Sequence, residues 1–196
     1  MKPISVITGS MAPLPRANID TDQIMPKEFL KRVQRTGYGQ YVFDQWRKDP
    51  EFVLNQPEYQ DAKVLVTGPN FGSGSSREHA PWGIQDWGFD AVIAPSFADI
   101  FFTNCTKIGL LPVVLSEKEV DYLIELAQHE PASEVTVDLS KQAVTADGFE
   151  ALFEIDPYVR HRLLNGLDDI GLTMSHDGEI SAFEQTRPAH KPRLGV

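Results

Sequence analysis

Val64-Leu65-Val66-Thr67-Gly68-Pro69-Asn70-Phe71-Gly72-Ser73-Gly74-Ser75-Ser76-Arg77-Glu78-His79-Ala80-Pro81-Trp82 joins an apolar run to a glycine loop and then to a helix-forming segment. Residues 63–66 read as a buried strand, and the apolar positions that follow the loop predict a helix reaching about Trp87. The start of that helix has two readings. Ser75-Ser76-Arg77-Glu78 matches a capping box; a helix begun there would carry Pro81 in its interior and lose a hydrogen bond, so a start near Pro81 leaves both serines in the loop. The same unit recurs downstream. Residues 91–94 form a second apolar run, 96–107 place Phe97, Ile100 and Phe101 at helical core spacing, and 110–115 form a third run. Residues 116–128 form an amphipathic helix, capped by Ser116 with Glu119 three residues on and striped by Val120, Leu123, Ile124 and Ala127. Strands alternating with helices call for parallel strands and crossover connections, hence an α/β fold.

The flanking segments are less regular. The first sixty residues are rich in turn formers and read as irregular, with a short helix over 27–34 carrying Phe29, Leu30 and Val33. Thr36-Gly37-Tyr38-Gly39 reads as a loop, and 41–46 as an apolar piece that packs back on the core. Beyond Pro131, residues 135–139 alternate like a half-exposed strand, and 143–145 and 151–155 flank the hairpin-type turn Asp147-Gly148. Residues 157–164 read as a helix begun by Pro157, and 181–186 as a last one. A second layer from the terminal segments makes the expected fold a three-layer β/β/α domain with a mainly parallel central sheet. Residues 1–188 form a single domain in this reading, and 189–196 a flexible C-terminal tail.

At 196 residues with a formal net charge of −10, the chain has length for one core and lacks the basic balance of a general nucleic-acid binder. No apolar stretch approaches the roughly 20 residues of a membrane span, and the N-terminal residues lack a long apolar signal region; a cytoplasmic location is expected. Cys105 is the single cysteine, so no internal disulfide forms and an iron–sulfur cluster finds no ligand set here. His79, His129, His161, His176 and His190 show no zinc spacing, and no metal is expected on this chain.

The chemistry concentrates in the glycine loop. Glycines at a strand end let backbone N–H groups approach an anion, and Arg77 can grip a carboxylate with two parallel hydrogen bonds. The segment suits an acidic small molecule held against a serine hydroxyl. Simpler readings exist for its parts. Ser75 can serve as a helix cap, Arg77 can pair with Glu78 or an aspartate, His79 can be a hydrogen-bonded structural imidazole, and Asp20 and Asp22 can fix a turn. Cys105 reads as a small buried residue.

Gly72 to Ala80 resembles the active-site signature of the swivelling domain of the aconitase superfamily, and Asn70 to Trp82 is similar to the small-subunit family of 3-isopropylmalate dehydratase. Arg16 to Lys27, Ile93 to Phe101 and Leu163 to Thr173 agree with the same family. The chain departs from the bacterial pattern at Ser73, where cysteine is usual.

The resemblance implies a hydro-lyase active only with a large subunit, in a hetero-oligomer. It isomerises 2-isopropylmalate to 3-isopropylmalate through an alkene diacid, in leucine biosynthesis. A [4Fe-4S] cluster is expected on the large subunit and none on this chain alone. Ser75 is implied as the base, helped by Arg77; Gly74 and Ser76, with Lys27, Arg32 and Arg35, are implied to bind substrate. Leu30, Val33 and Tyr38 are the expected walls of a specificity loop. A homoaconitate or citraconate/methylmalate hydro-lyase is the nearest alternative. A non-catalytic anion-binding module is the alternative of another class, and it lacks the phosphate-loop string.

Overall fold

The computed structural model describes residues 1–31 and 36–188. One sheet carries seven strands in the order β4-β3-β2-β1-β5-β6-β7. Its centre is β1 (Val6–Leu14), a nine-residue strand that serves two ladders. Residues 11–14 run parallel to β2 (Val64–Thr67), while residues 6–10 run antiparallel to β5 (Glu134–Asp138). On one side β3 (Ala91–Ala94) and β4 (Leu111–Val114) continue the parallel half, with Val64 opposite Ala91 and Ala91 opposite Leu111. On the other, β6 (Ala143–Ala146) and β7 (Phe149–Leu152) continue the antiparallel half through the Asp147-Gly148 turn.

β2 and β3 are buried at every residue, as strands covered on both faces must be. Alternate residues serve two cores. Leu65, Val92 and Ala94 face α2 (His79–Trp87) and α3 (Asp99–Ile108), which contribute Ala80, Ile84, Phe101 and Cys105. Val64, Val66, Ala91 and Ile93 face the other way, onto the Val120, Leu123, Ile124 and Ala127 stripe of α4 (Glu117–His129). Val135, Val137, Val144 and Ala151 of the antiparallel half join this second core, with Leu163 of α5 (Pro157–Asn165). The sheet therefore curls so that its antiparallel half shares a core with its parallel half, and α2 and α3 cover the opposite face. This is the α/β, β/β/α arrangement expected from the sequence. Truncating a central side chain such as Leu65 to alanine costs about 2–5 kcal/mol.

The N-terminal segment is the main correction. Read as irregular, it holds the central strand. Gly9, Ser10 and Pro13 lower its strand propensity, and two of them, Gly9 and Pro13, are explained in place. A side chain at Gly9 would strike Lys63, with a Cβ 2.6 Å from Cγ. Pro13 lies beyond Ser10, where the ladder to β5 has ended, so only one edge is paired there. Residues 27–34 give a 3-10 turn, Lys27–Lys31, rather than a regular helix as far as the described residues extend. The helix expected from Ser96 begins at Asp99, because residues 95–98 stay extended to bridge Phe97 to Phe71. The strand expected at 151–155 ends at Leu152. The C-terminal region holds α6 (Asp169–Met174), unforeseen in the sequence, and α7 (Asp177–Thr186), which starts four residues before the expected helix. Of the expected tail, residues 189–196 lie outside the described residues.

Candidate active site

Three loops leave the C-terminal ends of β1, β2 and β3 and meet at one edge of the parallel half, where ligands bind in open α/β sheets. The loop after β1 leads into α1 (Thr21–Ile24), a single turn closed by an Asp20–Gln23 capping box. The loop after β2 is the glycine loop. Backbone hydrogen bonds stitch the two together: Gly72 N donates to Ile19 O at 2.8 Å and Thr21 N to Ser73 O at 2.9 Å. Asn70 Nδ2 donates to Asn18 Oδ1 at 2.9 Å. The loop after β3 closes the third side, with Phe71 N donating to Ser96 O and Ala98 N to Phe71 O.

Two glycines shape the loop. Gly72 has φ +76° and its hydrogen faces the Phe101 ring, where a Cβ would lie 2.1 Å from Cγ. Gly74 has φ +89° with ordinary contact space around it, so backbone conformation alone selects glycine there. The helix then begins at His79 with Glu78 as its N-cap residue, which lacks a side-chain cap bond. Pro81 falls in the first turn, where its missing N–H is one that the helix leaves unpaired anyway. Ser75 thus lies three residues before the N-cap Glu78, exposed in the loop, and does not cap the helix. Thr21 Oγ1 fixes it by donating to the Ser75 carbonyl at 2.8 Å.

Arg77 pairs with Asp22, the aspartate partner that the sequence left unspecified. Its Nη1 donates to Asp22 Oδ1, its Nη2 to Asp22 Oδ2 at 2.8 Å, and Nη1 also to the Met25 carbonyl at 3.4 Å. The Arg77 side chain is 14% exposed and that of Asp22 54%, so the pair adds on the order of 1 kcal/mol to stability. Its main consequence is orientation. A guanidinium has five N–H donors in a fixed plane. Asp22 and Met25 take three, which leaves Nε–H and one Nη2–H side by side on one edge, the geometry that grips a second carboxylate.

Ser75, Gly74 and Arg77 line one cavity of about 200 Å³ with Thr21, Gly72, Asp99, Ile100 and Phe101. That is below the ~300–1,000 Å³ of a complete small-molecule site, and Gly74 and Ser75 are exposed. The wall is therefore partial. A larger depression of about 700 Å³ lies where β1 begins, lined by Met1, Ile4, Lys63 and Asp90, and gathers none of the three loops.

Other candidate residues fall elsewhere. Ser76 is exposed beside Ser75, outside the cavity lining. Lys27 is exposed on the 3-10 turn, and Leu30 is half-buried against the core. Tyr38 is fully buried against His79 and Trp82, ring centroids 5.2 and 6.0 Å away, and is not part of the cavity wall. Arg32, Val33 and Arg35 lie outside the described residues. His79 is half-buried; burial holds its imidazole below the usual range, with Glu78 opposing and Arg77 adding to the shift. Sequence reasoning missed Thr21 and Phe101 as parts of the site and weighed Asp22 only as a turn residue. The run Asp20-Thr21-Asp22 was the available signal.

The donor set does not fit an iron–sulfur cluster. Cys105, the chain's one thiol, is fully buried in α3, and burial pushes its ionisation well up. Among the described residues, no three of His, Cys, Asp and Glu gather as a metal site. Among these residues, too, no helix is long and apolar enough to cross a membrane.

The chain is similar to known proteins along its length. A family model described as Aconitase C-terminal domain matches residues 1–118. LeuD_N matches 121–157, and the model for the C-terminal domain of the 3-isopropylmalate dehydratase small subunit matches 169–195. Relatives named 3-isopropylmalate dehydratase small subunit from Rubrobacter xylanophilus and Paramagnetospirillum magneticum are 54% and 52% identical, each covering 99% of this chain and 100% of the relative. The crystal structure of 3-isopropylmalate dehydratase (leuD) from Methanocaldococcus jannaschii superposes with a TM-score of 0.68 at 25% identity, over 91% of this chain and 99% of that one. With relatives this similar along its whole length, the chain belongs to the 3-isopropylmalate dehydratase small-subunit family.

Proposed function

We propose that this chain is the small-subunit half of a hydro-lyase that isomerises 2-isopropylmalate to 3-isopropylmalate in leucine biosynthesis, in the cytoplasm, and that a large subunit supplies the rest of the site. The observation that carries this reading is the partial cavity in which Ser75 and Arg77 stand together at the mouth of the parallel strands. Residues 1–188 act in it as one swivelling domain.

The residues support defined tasks. The open Nε/Nη2 edge of Arg77 takes one substrate carboxylate, and the positive charge favours an ionised Ser75 hydroxyl in the same cavity. Ser75 Oγ then accepts the proton from the substrate carbon next to the one bearing the hydroxyl. Loss of that hydroxyl gives the alkene diacid. Returning the proton and the hydroxyl to exchanged carbons gives the isomer. A hydroxyl is a weak base, so the step depends on this cationic setting. The backbone N–H groups around Gly74 and the hydroxyl of Ser76 assist in holding the anion. Lys27, Arg32 and Arg35 are the candidates for the second carboxylate, and Leu30 and Val33 for setting specificity. The [4Fe-4S] cluster of the family belongs, in this reading, to the large subunit, where it would supply Lewis-acid help to the departing hydroxyl.

The test is anaerobic reconstitution with a cluster-loaded large subunit, offering 2-isopropylmalate, homoaconitate and citraconate side by side. Turnover of 2-isopropylmalate by the mixture and by neither subunit alone is the expected result. Preference for another diacid would keep the chemistry and change the substrate. No turnover with a large subunit proven active with its own partner would overturn the reading.

A further inference from the structure

We infer that the C-terminal arm α6–α7 is a docking surface for the large subunit, an inference that rests on the small-subunit reading above. Every residue of α7 is exposed, Asp177 to Thr186. A ten-residue helix without packing is marginal in water, so this one needs a surface to lie on. It also presents apolar side chains at helical neighbour spacing: Ile180 and Phe183 on α7, the latter 67% exposed, and Ile170 and Met174 on α6, 74% and 60% exposed. A run of exposed large apolar residues of this kind marks an interaction site.

The arm is held out from a fixed root. Asp168 caps α6 by accepting from Gly171 N at 2.7 Å, and its other oxygen lies 3.5 Å from the Met1 amine. Arg162 Nη2 donates to Asp169 at 2.8 Å. Ile4 N donates to Leu163 O at 2.9 Å, which places this root where β1 begins, at the opposite end of the strand from the glycine loop.

Two observations select the occupant. Residues 1–118 match the aconitase domain, whereas residues 169–195 match a separate domain described as proper to the small subunit. Residues 121–157 match a further LeuD model, so the arm is the C-terminal part of what this family adds to the aconitase domain, and the partner peculiar to a small subunit is its large subunit. Charge argues against a second copy. Asp177, Glu179 and Glu184 flank Ile180 and Phe183 along α7, so two arms face to face would set carboxylate against carboxylate. The fitting surface is an apolar groove rimmed by lysine or arginine on the large subunit.

The experiment measures the affinity of the purified cognate large subunit for the full chain and for Ile180→Asp and Phe183→Asp, with the urea midpoint of each isolated chain. Both variants are expected to keep the wild-type midpoint, since the arm is outside both cores, and to bind at least tenfold more weakly. Specific activity should be unchanged once the large subunit saturates. Wild-type affinity in both variants would overturn the docking surface alone. A chain that sediments by itself as a dimer, and that Phe183→Asp makes monomeric, would assign the arm to self-association instead. Failure of the unmodified chain to bind an active large subunit would remove the small-subunit reading, and the arm's role with it.

Discussion

Arg77 is the residue whose surroundings say most about chemistry. Its bidentate bond to Asp22 leaves one edge of the guanidinium open, and Arg77 lines one cavity with Ser75. Asp22→Asn keeps the volume but loses the charge and one acceptor, so the guanidinium is no longer fixed. A hydrogen bond to a charged group is worth about 1.5–3 kcal/mol, so KM for the diacid is expected to rise roughly 10- to 100-fold with kcat within a few fold. Steady-state kinetics of the reconstituted enzyme check this; a fall in kcat at constant KM would place Asp22 elsewhere in the mechanism. His79 gives a second test, in stability. Burial lowers its folded pKa, so below about 6.5 the unfolded chain binds the proton more readily. Its contribution is complete above the unfolded value and is lost as pH falls from there through the folded value. Urea midpoints between pH 7 and 5 should fall less steeply for His79→Gln than for the natural chain. Parallel profiles would show that the shift has no bearing on stability.

At the scale of elements, the glycine loop and its neighbours explain why some of this structure was legible in the sequence and some was not. β2, β3 and α4 are buried continuously or on one clean stripe, so their residues announce them. β1 does not, because half of it pairs in one direction and half in the other, and its Gly9 and Pro13 answer to Lys63 and to the end of the β5 ladder. The loop itself was legible as a glycine turn at a strand end, carrying two serines and an arginine. The identity of Arg77's partner was not, since Asp20, Asp22, Glu78 and Asp99 are equivalent until the three loops are brought together. The role of Phe101 was likewise hidden, because helical spacing marks it as core without saying that it presses on Gly72. Gly72→Ala tests that contact. With φ +76° and a Cβ 2.1 Å from the ring, the loop or α3 must shift. A loss of about 1–3 kcal/mol in the urea-derived stability is expected, together with reduced activity in the complex. An alanine variant of natural stability would mean that the loop is not braced on Phe101.

For the whole molecule, the curled sheet presents two ends with different work. The far ends of β1, β2 and β3 gather Ser75, Arg77 and Thr21 around a cavity of about 200 Å³ that leaves Gly74 and Ser75 exposed. The other end roots the α6–α7 arm. In the proposed enzyme, proton abstraction falls at one end and attachment to the large subunit at the other. In the proposed reaction Ser75 is the proton-abstracting group of a site completed by the large subunit. The most direct measurement is anaerobic 2-isopropylmalate turnover by the reconstituted complex carrying Ser75→Ala, with subunit assembly followed by sedimentation in the same samples. Loss of a positioned base lowers turnover by about 10²- to 10⁴-fold. That loss is expected here with assembly intact. Turnover within a few fold of the natural complex, in a fully assembled variant, would exclude Ser75 as the proton-abstracting group.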